Sequence, residues 1–114
     1  MSGYDVARID ELERLPVVEG LTWRPVRKRF GIGSFGVNAY TADEPGGRVV
    51  EEHTEGRNRH EELYVVVSGR ATFAIGGEEV DAPTGTLVFL PDPDVERGAV
   101  AAEPATTVLA LGAR

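Results

Sequence analysis

A chain of 114 residues, 41% hydrophobic and 27% charged, has the length and apolar content for one packed domain and excludes intrinsic disorder. Its net charge of −7 excludes a reader of the nucleic-acid backbone, which needs a basic footprint. Its lack of cysteine excludes disulfides and thiolate chemistry and leaves His, Asp and Glu as the available metal ligands.

In chain order, Asp5 is placed to cap a short helix with Val6, Ile9 and Leu12 along one stripe and Pro16 beyond its end. Residues 1–20 are therefore read as a helical segment and 21–114 as a β-barrel, together one domain over 1–114. Residues 22–30 alternate basic and apolar side chains, and Pro25 marks them as an edge strand. Arg24, Arg27, Lys28 and Arg29 form the one basic cluster, either the solvated face of that strand or an anion-binding or subunit-contact surface. Gly31-Ile32-Gly33 turns the chain into a strand over 34–41, and Asp43-Glu44-Pro45-Gly46-Gly47 turns it again. A strand over 48–54 brings His53 to its end, and a polar loop over 55–59 follows.

Residues 61–67 and 71–75 read as a hairpin about Ser68-Gly69-Arg70, and Gly76-Gly77 reverses the chain into 78–82. Strands over 86–90, 97–101 and 105–111 complete the pattern. Many short strands at regular spacing with turn residues between them predict an all-β sandwich or barrel. Since residues two apart in a strand face the same way, His60 and Glu62 should point into one space with Tyr64 and Val66, and Leu63, Val65 and Val67 away from it.

Glu62-x6-Gly69, Gly47-x5-His53 and Gly85-x5-Pro91 stand in the order and separation of the two motifs of the cupin superfamily, which the chain resembles from about Gly47 to Gly98. The resemblance is to the small single-domain conserved-barrel cupins. It implies a double-stranded β-helix (jelly-roll barrel, RmlC-like) with the short N-terminal helix added, and a homodimer, with the early strands as the expected contact. Metal-binding cupins use three histidines and the motif glutamate. Here His53-Thr54-Glu55 stands where His-x-His would be, and the stretch to Glu62 is longer than the motif's, so His60 is a candidate substitute. At the second motif Glu96 stands where the last histidine would be, beside Arg97.

The expected metal ligands are thus His53, His60, Glu62 and Glu96, for no ion or one divalent ion among Fe, Mn, Ni and Zn. The expected pocket residues are His60, Glu62, Tyr64, Glu96 and Arg97. Without an ion, Glu62 is the natural buried carboxylate, and Arg97 either pairs with it, binds an anionic ligand or neutralises Glu96 at the rim.

No serine sits in a nucleophile elbow, and no helix follows Gly31–Gly36 to make a phosphate loop. Trp23, Phe30, Phe35 and Tyr40 are too dispersed for a base-stacking platform and read as core. The opening Met1-Ser2-Gly3-Tyr4-Asp5 lacks the pattern of a secretory leader, and no apolar run reaches the roughly 20 residues of a membrane span. No membrane and no nucleic-acid partner, and a cytoplasmic location, are expected. Two functions stay open: binding of a small polar or anionic molecule in the barrel, or a metal-dependent dioxygenase or isomerase acting on a small organic substrate.

Overall fold

The computed structural model describes residues 3–18 and 20–112; Met1, Ser2, Glu19, Ala113 and Arg114, at the ends of the expected helical and barrel segments, lie outside it. The strands are β1 (Leu15–Val18), β2 (Leu21–Arg24), β3 (Gly36–Ala42), β4 (Arg48–His53), β5 (Glu62–Ser68), β6 (Arg70–Ile75), β7 (Glu78–Pro83), β8 (Leu87–Leu90), β9 (Arg97–Ala101) and β10 (Thr106–Gly112). They form a six-stranded sheet in the order β1-β2-β3-β10-β5-β8 and a four-stranded sheet in the order β4-β9-β6-β7. Every pairing is antiparallel, and the fold is the cupin jelly roll.

The sheets share one interior because each strand alternates its faces. Tyr64 and Val66 of β5 are buried while Val67 is exposed, so β5 turns inward the side that its alternation predicted. Tyr64 meets Phe73 of β6 across the sheets, with ring centroids 5.5 Å apart. Val49, Val66, Phe73 and Val108 have no exposed surface at all. Burying side chains of this size stabilises the fold by about 1.5–3 kcal/mol each.

Three local expectations are corrected. The N-terminal helix contracts to one 3-10 turn over Ile9–Glu11, and the chain then enters β1. A segment this short cannot repay helix nucleation on its own. It is held instead by the sheet: Leu12 is buried, and Arg24 Nη1 donates to the carbonyls of Ile9 and Leu12. Val6, expected on the same stripe, is 73% exposed.

The strand expected over 22–30 stops at Arg24, and Val26–Phe30 forms a single-turn helix, α1. Pro25 ends the ladder because it has no N–H to donate. Gly31 closes α1 in the left-handed region at φ 69, with Ile32 N donating to Arg27 O at 3.0 Å. This turn leaves Phe30 and Phe35 exposed and not in the core.

The hairpin expected between 61–67 and 71–75 does not form. β5 pairs with β10 and β8, and β6 pairs with β7 and β9, so the chain crosses from one sheet to the other at Gly69. Gly69 has φ 75, and a Cβ there would lie 2.4 Å from Thr106 Oγ1. That close approach lets Thr106 Oγ1 donate to Arg70 O at 3.1 Å and seal the corner. A glycine turn between two apolar runs looks alike in sequence whether it closes a hairpin or bridges two sheets. By contrast, β6 and β7 do form a hairpin about Gly76 and Gly77, both at positive φ. Among the described residues no helix is long and apolar enough to cross a membrane.

Candidate functional site

A cavity of about 380 Å³ opens at the end of the barrel where β4 stops and β5 starts. β4 delivers His53, β5 delivers Glu62 and Tyr64, β3 supplies Tyr40, and the loop between β4 and β5 supplies Glu55. Leu21, Val50 and Ala110 form its apolar wall, and Glu51 and Glu52 stand at its edge.

The loop is pinned at Glu55, whose N–H donates to Pro93 O at 2.8 Å and whose carbonyl accepts from Arg59 N at 2.7 Å. The Glu55 carboxylate is buried and shared: Oε2 lies 2.8 Å from His53 Nε2 and Oε1 lies 2.7 Å from His60 Nε2. Asn58 Nδ2 also donates to Glu55 Oε1 at 3.2 Å. His60 therefore reaches the site through Glu55, and does not line the cavity beside Glu62 as the period-two reading expected. It lies before β5 begins, where strand alternation does not yet hold.

Glu62 is the second hub. Its Oε1 accepts from the Tyr64 hydroxyl, from Arg97 Nη1 at 3.3 Å, and lies 3.6 Å from His53 Nε2. Arg97 is fully buried, and the turn before β9 wraps its guanidinium with backbone carbonyls. Nη2 donates to Asp92 O at 3.0 Å and Val95 O at 2.8 Å, and Nε donates to Val95 O at 3.1 Å. A buried charge of this kind persists because it is paired and hydrogen-bonded.

Glu96 takes no part. Its side chain is exposed, and its carbonyl accepts from Gly76 N at 2.9 Å. Consecutive residues entering a strand face opposite ways, so the motif count fell one residue short of Arg97, which holds the inward position. Arg97 accordingly neutralises Glu62 and not Glu96.

Protonation follows from these contacts. His53 Nδ1 faces Glu51 O at 2.7 Å and Nε2 faces the carboxylates, so both nitrogens meet acceptors. Its pKa is raised to about 9, chiefly by Glu62, with the nearer Glu55 acting in the same direction and burial opposing both. Burial alone would raise the Glu62 carboxyl, but His53, Tyr64 and Arg97 together outweigh it and hold the pKa below the usual carboxylate range. The Tyr64 phenol is pushed up by burial and by the Glu62 charge, and Tyr40 by burial and then Glu62. At neutral pH the cavity thus presents an imidazolium at His53, an ionised Glu62 and two neutral phenols.

His53, Glu55 and Glu62 can bring one ligand atom each within 4.8 Å of one another, which poses the question of an ion. The donor set does not fit a tightly held divalent cation. Arg97, which cannot lose its proton, sits 3.3 Å from Glu62 Oε1, where a metal would add two further positive charges. The guanidinium supplies from the protein the positive charge that an ion would bring.

Sequence reasoning missed Glu55 as the central carboxylate, although its place in the first motif pointed to it. Tyr40 left no sequence signal, because its position depends on β3 pairing with both β2 and β10.

Residues 34–112 match the family model described as the AraC-like ligand binding domain. Among curated proteins no sequence matches significantly. Solved structures share the fold at low identity. The structure of KdgF from Halomonas sp. superposes with a TM-score of 0.73 at 22% identity, covering 91% of this chain and 87% of that one. A cupin-superfamily sugar phosphate isomerase from Silicibacter pomeroyi gives 0.78 at 21%, covering 96% and 76%. The Streptomyces nucleoside dehydratase Pac13 gives 0.66 at 21%, covering 95% and 81%.

Proposed function

The chain belongs to the AraC-like ligand binding domain family, and on that premise we propose that its barrel mouth binds a small, neutral, hydroxyl-rich molecule without a metal ion. The lining carries this reading: Glu51, Glu52, Glu55 and Glu62 face a cavity that holds one histidine and no open cation. Spare carboxylate lone pairs accept hydrogen bonds from ligand hydroxyls, and Tyr40 with Leu21 and Val50 covers the apolar side of a ring. The acidic lining narrows the polar-or-anionic expectation to a polar ligand, since an anion would enter against four carboxylates. Among the similar structures, the nucleoside dehydratase was solved with uridine, a neutral molecule with ribose hydroxyls, which supports the reading by analogy of fold.

The test is a thermal-shift panel in EDTA. Neutral sugars and nucleosides should raise the melting temperature in a saturable way, and Glu62→Gln should abolish the shift. Stabilisation by dicarboxylates and not by neutral polyols would overturn the proposal.

For assembly, we place the homodimer contact on β8 and not on the early strands. The outer face of β2 and β3 is already covered: Thr22, Val37, Ala39 and Thr41 are buried, and Arg24 anchors the N-terminal segment across them. β8 is hydrogen-bonded on one edge only and exposes Leu87 at 64% and Phe89 at 57%. Leu87-Val88-Phe89-Leu90 carries no charge, so a second copy pairs with it without like-charge repulsion even in a chain of net charge −7. Light scattering should give a dimer that Phe89→Lys converts to a monomer; a monomeric parent chain would contradict this placement.

A further inference from the structure

We infer that the barrel mouth is a ring-sized slot that selects for one free hydroxyl on its ligand, read by Tyr40 and Glu62 together. The inference rests on the mouth being a site for neutral, hydroxyl-rich molecules and says what distinguishes one such molecule from another.

The slot follows from the strand order. β10 lies between β3 and β5, so the strands that carry Tyr40 and Glu62 run two spacings apart, about 10 Å. Between them the inward residue of β10 is Ala110, which pairs with Asn38 on one side and Tyr64 on the other. Its single methyl group leaves open a floor that a larger side chain would fill. Ala110, Tyr40, Glu62 and Tyr64 all line the same cavity, whose volume of about 380 Å³ is at the lower end for ligand pockets. That is room for a monosaccharide or a nucleoside and not for an oligosaccharide.

Electrostatically the mouth needs nothing from a ligand, because its buried carboxylates have partners within the protein. Two polar atoms there are nonetheless unspent. Glu62 accepts from Tyr64 and Arg97 through Oε1 alone. Among the described residues nothing donates to its Oε2, and the side chain keeps 13% of its surface. The Tyr40 hydroxyl also has no hydrogen-bond partner among the described residues, and Glu62 is the charge that acts on it most strongly. Neither atom is sealed from the cavity. The flank cavity between β2, β3 and α1 differs in this respect: its partnerless atoms, Trp23 Nε1 and Asn38 Oδ1, are buried out of reach of any occupant.

The ligand chemistry follows from these two atoms. An ionised carboxylate oxygen only accepts, and a Tyr40 hydroxyl held protonated by burial and by Glu62 donates. A group placed between them must donate and accept at once. A hydroxyl does both. An ether oxygen has no proton for Glu62, and an ammonium has no lone pair for Tyr40. Water in the empty slot meets both atoms, and a ligand hydroxyl displaces it because it reproduces the same hydrogen bonds.

The test is calorimetric titration with uridine and its 2′-, 3′- and 5′-deoxy forms, and with D-glucose and its 2-, 3-, 4- and 6-deoxy forms. For the parent compound that binds, loss of the hydroxyl at one position should weaken binding tenfold or more, as expected of a hydrogen bond to a charged group, and loss at the others should cost less. Tyr40→Phe should weaken the parent about fivefold and shrink the discrimination at that one position. It should leave the melting temperature of the free protein unchanged, since the hydroxyl holds nothing in the fold. Ala110→Leu, which fills the floor and removes no polar group, should abolish binding of the parent with circular dichroism unchanged. Equal losses at every position, or a Tyr40→Phe variant that binds and discriminates like the parent chain, would overturn this inference and leave the neutral-ligand reading standing. Binding of neither parent compound would overturn that reading and this inference with it.

Discussion

Two cavities open on one face of the same sheet, and they solve opposite electrostatic problems. At the barrel mouth the buried carboxylates have partners within the protein: Glu62 has Arg97 and His53, and Glu55 has the imidazoles of His53 and His60. On the flank Arg27 and Lys28 stand without a carboxylate beside two orphan polar atoms. The mouth is therefore complete before any ligand arrives and selects by hydrogen bonding. On the flank the cations are left to solvent. A net charge of −7 conceals this division, because it sums over a mouth whose buried carboxylates have internal partners and a flank whose cations do not.

The largest expected effect removes the internal counter-charge at the mouth. Arg97→Met leaves Glu62 facing an apolar replacement and strips the carbonyls of Asp92 and Val95 of their donor. Breaking a buried pair from one side costs about 3–5 kcal/mol, to be read from urea denaturation. The double variant Arg97→Met/Glu62→Leu should recover part of that loss. A loss equal to the single variant's would show that the carbonyl contacts, and not the ion pair, carry the stability.

The next effect is a pH dependence. His53 has a folded pKa near 9 against an ordinary value of 6.5, so its stabilising contribution is fully present below about 6.5 and is lost as pH rises through about 9. The melting temperature should fall across that window, and His53→Gln should flatten the fall. Because the side chain is about one-third exposed, solvent screens the contribution and the slope should be shallow. A profile that His53→Gln leaves unchanged would place the titrating group elsewhere.

The smallest effect is on the flank. Lys28→Glu sits on the exposed side of α1 and should change stability by no more than about 0.5 kcal/mol. The same change should leave binding of neutral ligands at the mouth intact. A large loss of stability there would mean that the flank cations hold the fold together.

The sequence made the barrel legible because its signals were local and periodic. Alternation in 62–68, the Gly76-Gly77 reversal and the spaced glycine motifs each depend on few neighbouring residues. What escaped depended on partners far along the chain. Gly69 reads as a hairpin turn until Thr106 is known to press against it. Residues 22–30 read as one strand because their alternation of basic and apolar side chains runs on past Pro25, where the ladder stops and α1 begins. At the site, Glu62 and Tyr64 were legible from strand period. Arg97 was named, but its partner was open until β9 fixed which of Glu96 and Arg97 turns inward. The orphan pair at Trp23 and Asn38 has no sequence signature, since an unmet hydrogen bond is a property of the packed state.

The most direct test of the central claim, that the protein's own guanidinium serves in place of an ion, is calorimetric titration of Mn(II), Fe(II), Ni(II) and Zn(II) into EDTA-treated protein near pH 7, with metal content measured after dialysis. No saturable site of one equivalent is expected for any of the four, and EDTA should leave neutral-ligand binding unchanged. One equivalent of metal retained through dialysis, together with ligand binding that EDTA abolishes, would contradict it.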